Sequence, residues 1–282
     1  MLDDRTELHF PANGMTEVPL LWQPQVVRCH AAGPGGRPLH VLIDTGTDPS
    51  AIDLTLARRL DLRIGDFALG SDAASDAVPF TETVLPWLRI GALTLRHLYL
   101  MAVDLSHAPF PVDVVLGYNV LHQLNLTIDY RRQTLRLCHS DLPPSPPGPR
   151  GVSLPLLFFE HFPAIHARVT APHTAELLLT LDTGSNSALT LSPDLAATLG
   201  LDVQTTPATT GHGFTTTTPV VLGMAVDLQI GPFHLDGVAV DVPATHYGDL
   251  GRPGRANAGN RLLSRFRRVT LDYRRAVCVV EE

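Results

Sequence analysis

Apolar residues along this chain gather in short runs broken by glycine, proline or small polar residues, which is the rhythm of β-strands and tight turns. Val26 to His30 and Pro38 to Ile43 flank "AAGPGG" as a hairpin-like pair, and Leu85 to Ile90, Leu93 to Val103 and Leu126 to Leu137 read as further strands. Helical spacing is scarce. It is expected in "PSAIDLTLARRLDL" (49–62) and in "SPDLAATLGL" (192–201), where Ser192 stands as a cap, Pro193 in the first turn and Gly200 near the stop. Two shorter helices are expected after the glycines of "VVLGYNVLHQL" (114–124) and "NAGNRLLSRF" (257–266). Two of the apolar runs, "HVLI" and "LLTL", lead straight into Asp-Thr-Gly, at residues 44–46 and 182–184.

That coincidence belongs to a larger pattern. The triplets lie 138 residues apart; "VPLLW" (18–22) matches "LPLLF" (154–158) at an offset of 136, "LRIGALTLRHLYL" (88–100) matches "LQIGPFHLDGVAV" (228–240) at 140, and "LTIDYRRQTLRL" (126–137) matches "VTLDYRRAVCVV" (269–280) at 143. Constant order with a slowly drifting offset is the mark of a duplicated unit with small loop insertions. Between the copies, "SDLPPSPPGPRG" (140–151) is dense enough in proline to be an extended spacer. The expected organisation is a lobe over 15–139, a linker over 140–151 and a second lobe over 152–282.

Composition narrows the class. The chain has 282 residues, 44% apolar and 17% charged, enough to bury a sizeable core. No apolar run is long enough to span a membrane. A net charge of −7 with no basic block argues against nucleic acid as a partner. The N-terminus "MLDDRTELHFPANG" carries acids where an export signal needs basic residues. The expectation is therefore a cytoplasmic protein, or a periplasmic or secreted one if a signal has been trimmed. Cys29, Cys138 and Cys278 are odd in number and scattered, so they read as buried small apolar residues and not as a disulfide framework. The thirteen histidines include no His-Glu-x-x-His and no finger spacing, so no metal and no cofactor are expected. There is no Gly-x-Ser-x-Gly elbow for a serine nucleophile.

A strand ending in Asp-Thr-Gly presents a carboxylate at the mouth of a sheet, with glycine permitting a tight turn and threonine able to bond neighbouring backbone. One such acid is an ordinary loop residue. Two brought face to face cannot both ionise easily and share a proton, so the pair can act as base toward a water and as acid toward a leaving group.

With these residues in view, the chain resembles a retropepsin-like aspartic protease carried as two fused copies over nearly all of residues 16 to 281. The likeness rests on "VLIDTGT" and "LTLDTGS", on Val115-Leu116-Gly117 before a short helix, and on the closing strands with "IDYRR" and "LDYRR". The resemblance implies an all-β fold: two β-barrel lobes related by a pseudo-two-fold axis, with few short helices. It implies that Asp44 and Asp182 lie side by side as the catalytic pair. Thr45 and Thr183 would interlock beneath them, and Gly46 and Gly184 would let backbone approach a bound substrate. It also implies aspartic endopeptidase activity on a peptide or protein substrate, by a monomer whose lobes pair within one chain.

Further site residues follow the same resemblance. Asp48, and Asn186 in the matching place, are candidate contacts to substrate backbone. Glycine-containing flap hairpins are expected at "GHGFTTTTPV" (211–220), including Gly211, His212, Gly213 and Phe214, and less clearly at "LGSDAASDAVPF" (69–80). Asn257-Ala258-Gly259 departs from the apolar pattern of the first half, and looser packing beside Asp182 is the expectation there. Two rivals remain: a non-catalytic peptide-binding module on the same fold, and a protease whose lobes pair between chains.

Overall fold

The computed structural model describes residues 2–23, 25–201, 208–213, 217–244 and 246–282. Among these residues the architecture is mostly β, with three sheets. In the first half, a sheet runs in the order Arg28–Ala31, Leu39–Ile43, Val114–Leu116, Ala51–Asp53, Leu93–Val103, Val78–Ile90 and Ala68–Gly70, with Glu7–His9 added on Leu93–Val103. The second half repeats the plan with Leu157–Phe159, Phe162–Thr170, Thr174–Leu181, Ala256–Ala258, Leu189–Leu191, Phe233–Pro243, Thr217–Ile230 and Ala208–His212. There an extra pairing of Phe162–Thr170 with Thr217–Ile230 curls the sheet back on itself.

The third sheet joins the halves. Its order is Gly151–Pro155, Val277–Glu281, Arg268–Asp272, Leu124–Asp129, Thr134–His139 and Met15–Pro19, three strands from each half in mirrored sequence. At its centre Leu124–Asp129 pairs antiparallel with Arg268–Asp272, with Thr127 opposite Thr270 and their hydroxyls 3.0 Å apart. The pseudo-two-fold axis relating the two lobes passes at this pair.

Strands near the middle of each lobe bury both faces, which is why they read as unbroken apolar runs. Val41 and Ile43 enter the main core, shared with Leu85, Leu88, Leu95 and Leu116, while Leu42 turns the other way against Val115, Val26 and Val103. Each fully buried leucine or valine of this kind contributes about 1.5–3 kcal/mol.

Four short helices occur among the described residues: α1 (Leu54–Arg59), α2 (Tyr118–Leu121), α3 (Pro193–Thr198) and α4 (Asn260–Leu263). α1 is much shorter than the expected 49–62. Ala51–Asp53 is drawn into the sheet between Leu93–Val103 and Val114–Leu116, and the Asp53 carboxylate caps the helix by accepting the Leu56 amide at 2.8 Å. Ser192 and Pro193 start α3 as expected, although the Ser192 side chain makes no capping bond.

The single strand expected over 126–137 is instead a hairpin. Asp129 accepts the Arg132 amide at 2.8 Å and Gln133 takes a left-handed φ of 53°, which turns the chain between Leu124–Asp129 and Thr134–His139. Asp272 does the same for Arg275 in the second half, at 2.9 Å.

The last strand of the first half ends at His139 and the next begins at Gly151. Cys29, Cys138 and Cys278 are buried and free. No helix among the described residues is long and apolar enough to cross a membrane.

Candidate active site

Each Asp-Thr-Gly follows the end of a strand held by a short parallel partner. Leu39–Ile43 runs beside Val114–Leu116, and the Asp44 amide donates to Leu116 O at 2.9 Å. Thr174–Leu181 runs beside Ala256–Ala258, and the Asp182 amide donates to Ala258 O at 2.9 Å. The chain is thereby forced to turn at the aspartate, and the central sheet brings the two turns together.

Beneath the carboxylates the threonines cross between lobes. Thr183 Oγ1 donates to Ile43 O at 2.6 Å and Thr45 Oγ1 to Leu181 O at 2.5 Å. The Thr45 amide donates to Thr183 Oγ1 at 3.2 Å, and the Thr183 amide to Thr45 Oγ1 at 3.0 Å. Both threonines are 1% exposed, so these bonds act away from water.

The glycines are required by the opposite lobe. A methyl group on Gly46 would sit 2.8 Å from Asp182 Cγ, and one on Gly184 would overlap the Asp44 carboxyl. The nearest neighbour that excludes a side chain is thus the partner aspartate, where an approach of substrate backbone was the expectation.

Asp44 is buried and Asp182 partly so. Asp44 Oδ1 accepts the Gly46 amide at 2.8 Å and Oδ2 the Thr47 hydroxyl at 2.6 Å. Asp182 Oδ1 accepts the amides of Gly184 (2.9 Å) and Ser185 (3.0 Å), and Oδ2 accepts Asn257 Nδ2 at 2.9 Å. Burial, followed by the negative charge of Asp182, pushes the Asp44 carboxyl up to about 7. Burial also raises Asp182, against the pull of its three N–H donors. A shared proton is the natural resting state of such a pair.

The other expected residues divide. The Asp48 carboxylate meets His161 Nδ1 across the lobes in a hydrogen-bonded contact, and His161 stacks on Tyr118 with ring centroids 4.5 Å apart. Asn186 is exposed on its loop. Gly211 pairs with Thr218 in the hairpin of Ala208–His212 with Thr217–Ile230, and Gly213 lies directly against the Asp72 carboxylate. Phe214 and the His212 side chain lie outside the described residues.

Asp72 belongs to the tip of the first-half hairpin, formed by Ala68–Gly70 and Val78–Ile90, so the two tips touch. That first tip also docks on the second lobe. The Asp249 amide donates to Asp72 O at 2.9 Å, Ser71 bonds the Asp249 carboxylate at 3.2 Å, and Arg252 bonds Asp76 at 3.3 Å.

A family model described as Aspartyl protease matches residues 32–120 and 173–254. The chain belongs to this aspartyl protease family. The two matches bracket one Asp-Thr-Gly each, and the second stops before Asn257-Ala258-Gly259, the stretch where the second half departs from the apolar pattern of the first. No curated protein matches the chain.

The expectation of loose packing at that departure is overturned. Asn257 is 4% exposed and sits in the strand Ala256–Ala258, between Thr174–Leu181 and Leu189–Leu191. Its amide satisfies itself inward, on Asp182 and on Thr180 Oγ1 at 2.7 Å. Other supporting residues had no signal beyond their place in the repeat. Asn260 Nδ2 donates to Thr183 O and Ser185 O, both at 2.8 Å, and Tyr130 bonds Asn260 Oδ1 at 3.0 Å.

Proposed function

We propose that the chain is an aspartic endopeptidase in which Asp44 and Asp182 form one catalytic dyad. The observation that carries this reading is the pair of carboxylates, one from each lobe, held against each other over interlocked threonines. Burial of both acids favours one shared proton, the condition under which a pair can be base and acid in the same turnover.

A water held between the carboxylates loses a proton to the ionised aspartate and adds to the peptide carbonyl carbon. The protonated aspartate donates to the carbonyl oxygen as the tetrahedral intermediate forms. As that intermediate collapses, the C–N bond breaks and the nitrogen takes the proton that the base aspartate drew from water, while a hydroxyl of the intermediate returns its proton to the other aspartate as the new carboxyl C=O forms, so the pair ends in its one-proton state.

The substrate is an extended peptide. Among the described residues Ala68–Gly70 and Ala208–His212 are the end strands of their sheets, the positions at which a peptide can add as a further strand.

The working unit is one chain, with lobes 15–139 and 152–282 joined by 140–151. The six-stranded sheet built from both halves supports this. Specific activity should then stay constant on dilution, and mixing Asp44→Asn with Asp182→Asn chains should restore nothing.

The deciding experiment is digestion of a peptide library by the wild type, Asp44→Asn and Asp182→Asn. Each substitution should lower turnover by about 10²–10⁴-fold or more while the circular dichroism spectrum is unchanged. Wild-type turnover in either mutant would overturn the shared site.

A further inference from the structure

The surroundings of the two aspartates break the two-fold symmetry at one cross-strand pair. In the first lobe Leu42 stands opposite Val115; in the second the same position pairs Thr180 with Asn257. Both members of the pair change from apolar to polar together. Thr180 Oγ1 shares its proton between Asn257 Oδ1 at 2.7 Å and Ala256 O at 2.9 Å, and the Asn257 amide nitrogen faces Asp182 Oδ2. Thr47 Oγ1 reaches Asp44 Oδ2, whereas its counterpart, the Ser185 hydroxyl, is turned aside onto Ser187 Oγ at 2.9 Å. The amide of Asn257 therefore occupies in the second lobe the place that a hydroxyl holds in the first.

The difference is chemical as well as geometric. A hydroxyl can donate to a carboxylate or accept from a carboxylic acid, so Asp44 Oδ2 is served in either protonation state. An amide N–H₂ only donates. Asp182 faces three N–H donors over its two oxygens, and a proton on Oδ2 would be set against the Asn257 nitrogen.

We propose that Asn257 is a positioning residue that holds Asp182 as the ionised member of the pair and so assigns the shared proton to Asp44. This rests on the protease reading above and adds a division of labour: Asp182 takes the proton from water, and Asp44 donates to the carbonyl oxygen. Burial and then the negative charge of Asp182 raise Asp44, which is the effect expected when the partner carries the charge.

Among the described residues, the titratable groups that face the pair are the aspartates themselves and the Tyr273 phenol. Burial and the Asp44 charge push that phenol up, so it stays neutral throughout. The contact of Asp48 with His161 lies on the loop beyond Asp44 and is left in place by the substitutions at Thr180 and Asn257.

The test is the pH dependence of kcat/KM for the wild type, for Asn257→Val with Thr180→Leu, which recreates the first-lobe pair, and for Asn257→Ser, which puts a hydroxyl donor in place of the amide. Loss of a hydrogen bond to a charged group should move the acidic limb up by about one to two pH units in the double variant. The basic limb should stay, and Asn257→Ser should restore part of the shift. An acidic limb that does not move, or moves down, in a variant of unchanged melting temperature would overturn the proposal.

Carboxyl ¹³C titration of the wild type by NMR gives a readout that needs neither a variant nor activity. Asp182 should titrate below Asp44, and the reverse order would also overturn the proposal. A protein that cleaves nothing yet shows this order would sink the protease reading and leave the assignment of the proton standing.

Discussion

The strand leading to Asp44 is held by apolar neighbours, Leu42 against Val115; the strand leading to Asp182 is held by polar ones, Thr180 against Asn257. The contrast continues below. Tyr130 bonds Asn260, and Asn260 ties down the carbonyls of Thr183 and Ser185. In the first lobe the residue matching Asn260 is Tyr118, which meets Tyr273 edge to face at 6.2 Å, and the buried Tyr273 hydroxyl has no hydrogen-bond partner among the described residues. The two loops nevertheless share the aspartate amide bonded to the neighbouring strand and the crossed threonines. Duplication can thus keep a geometry that both copies must share while the electrostatics around each carboxylate diverge.

The sharpest way to break the comparison is at the part that is symmetric. Thr45→Val and Thr183→Val each remove a hydroxyl that donates across the lobes and leave a buried amide of the partner loop unpaired. Each should cost about 1–3 kcal/mol of unfolding free energy, and the two costs should agree, as read by denaturant melts. A loss confined to one of them would mean that the interlock is not shared equally.

The asymmetric part should show in pH-dependent stability. The Asp44 carboxyl rises from 3.8 to about 7 on folding, so between those values the folded chain keeps a proton that the unfolded chain releases. That stabilisation is complete below the lower value and is lost as pH climbs through the upper one. Asp44→Asn removes the penalty of charging. Its melting temperature should gain on the wild type as pH goes from 4 to 7, by roughly 2–4 °C for each kcal/mol of penalty lifted. A constant difference across that range would contradict the buried shared proton.

The smallest effect is expected at the Asp48–His161 pair, which has no charged counterpart at Asn186. His161 is 57% exposed, so His161→Ala should change stability by less than about 1 kcal/mol, with the remaining loss coming from its stacking on Tyr118. A larger change in a thermal melt would show that this contact clamps the lobes together.

Much of this arrangement is legible without coordinates. The repeat, the two triplets and the short helices after Gly117 and Gly259 are local or self-similar signals, and local preference together with burial on both faces is enough to produce them. Boundaries were less legible. Ala51–Asp53 carries a pattern that suits a helix and became a strand because two neighbouring strands claimed its backbone. The run 126–137 concealed a turn whose signal, Asp129 accepting the Arg132 amide, is a single side chain.

Asn257 marks where sequence reasoning stops. Its departure from the apolar pattern was visible, but its meaning was not, because a buried amide is harmful or useful according to which groups it meets. It meets Asp182 and Thr180, 75 and 77 residues away, and the threonines lock across 138 residues. The sequence by itself determined the strands, the duplication and the two acids, since these follow from patterns within one segment or between its copies. Only the tertiary structure decided that the acids share one site, that the hairpin tips touch and that the two carboxylates differ in their donors, because those facts depend on contacts that no local pattern encodes.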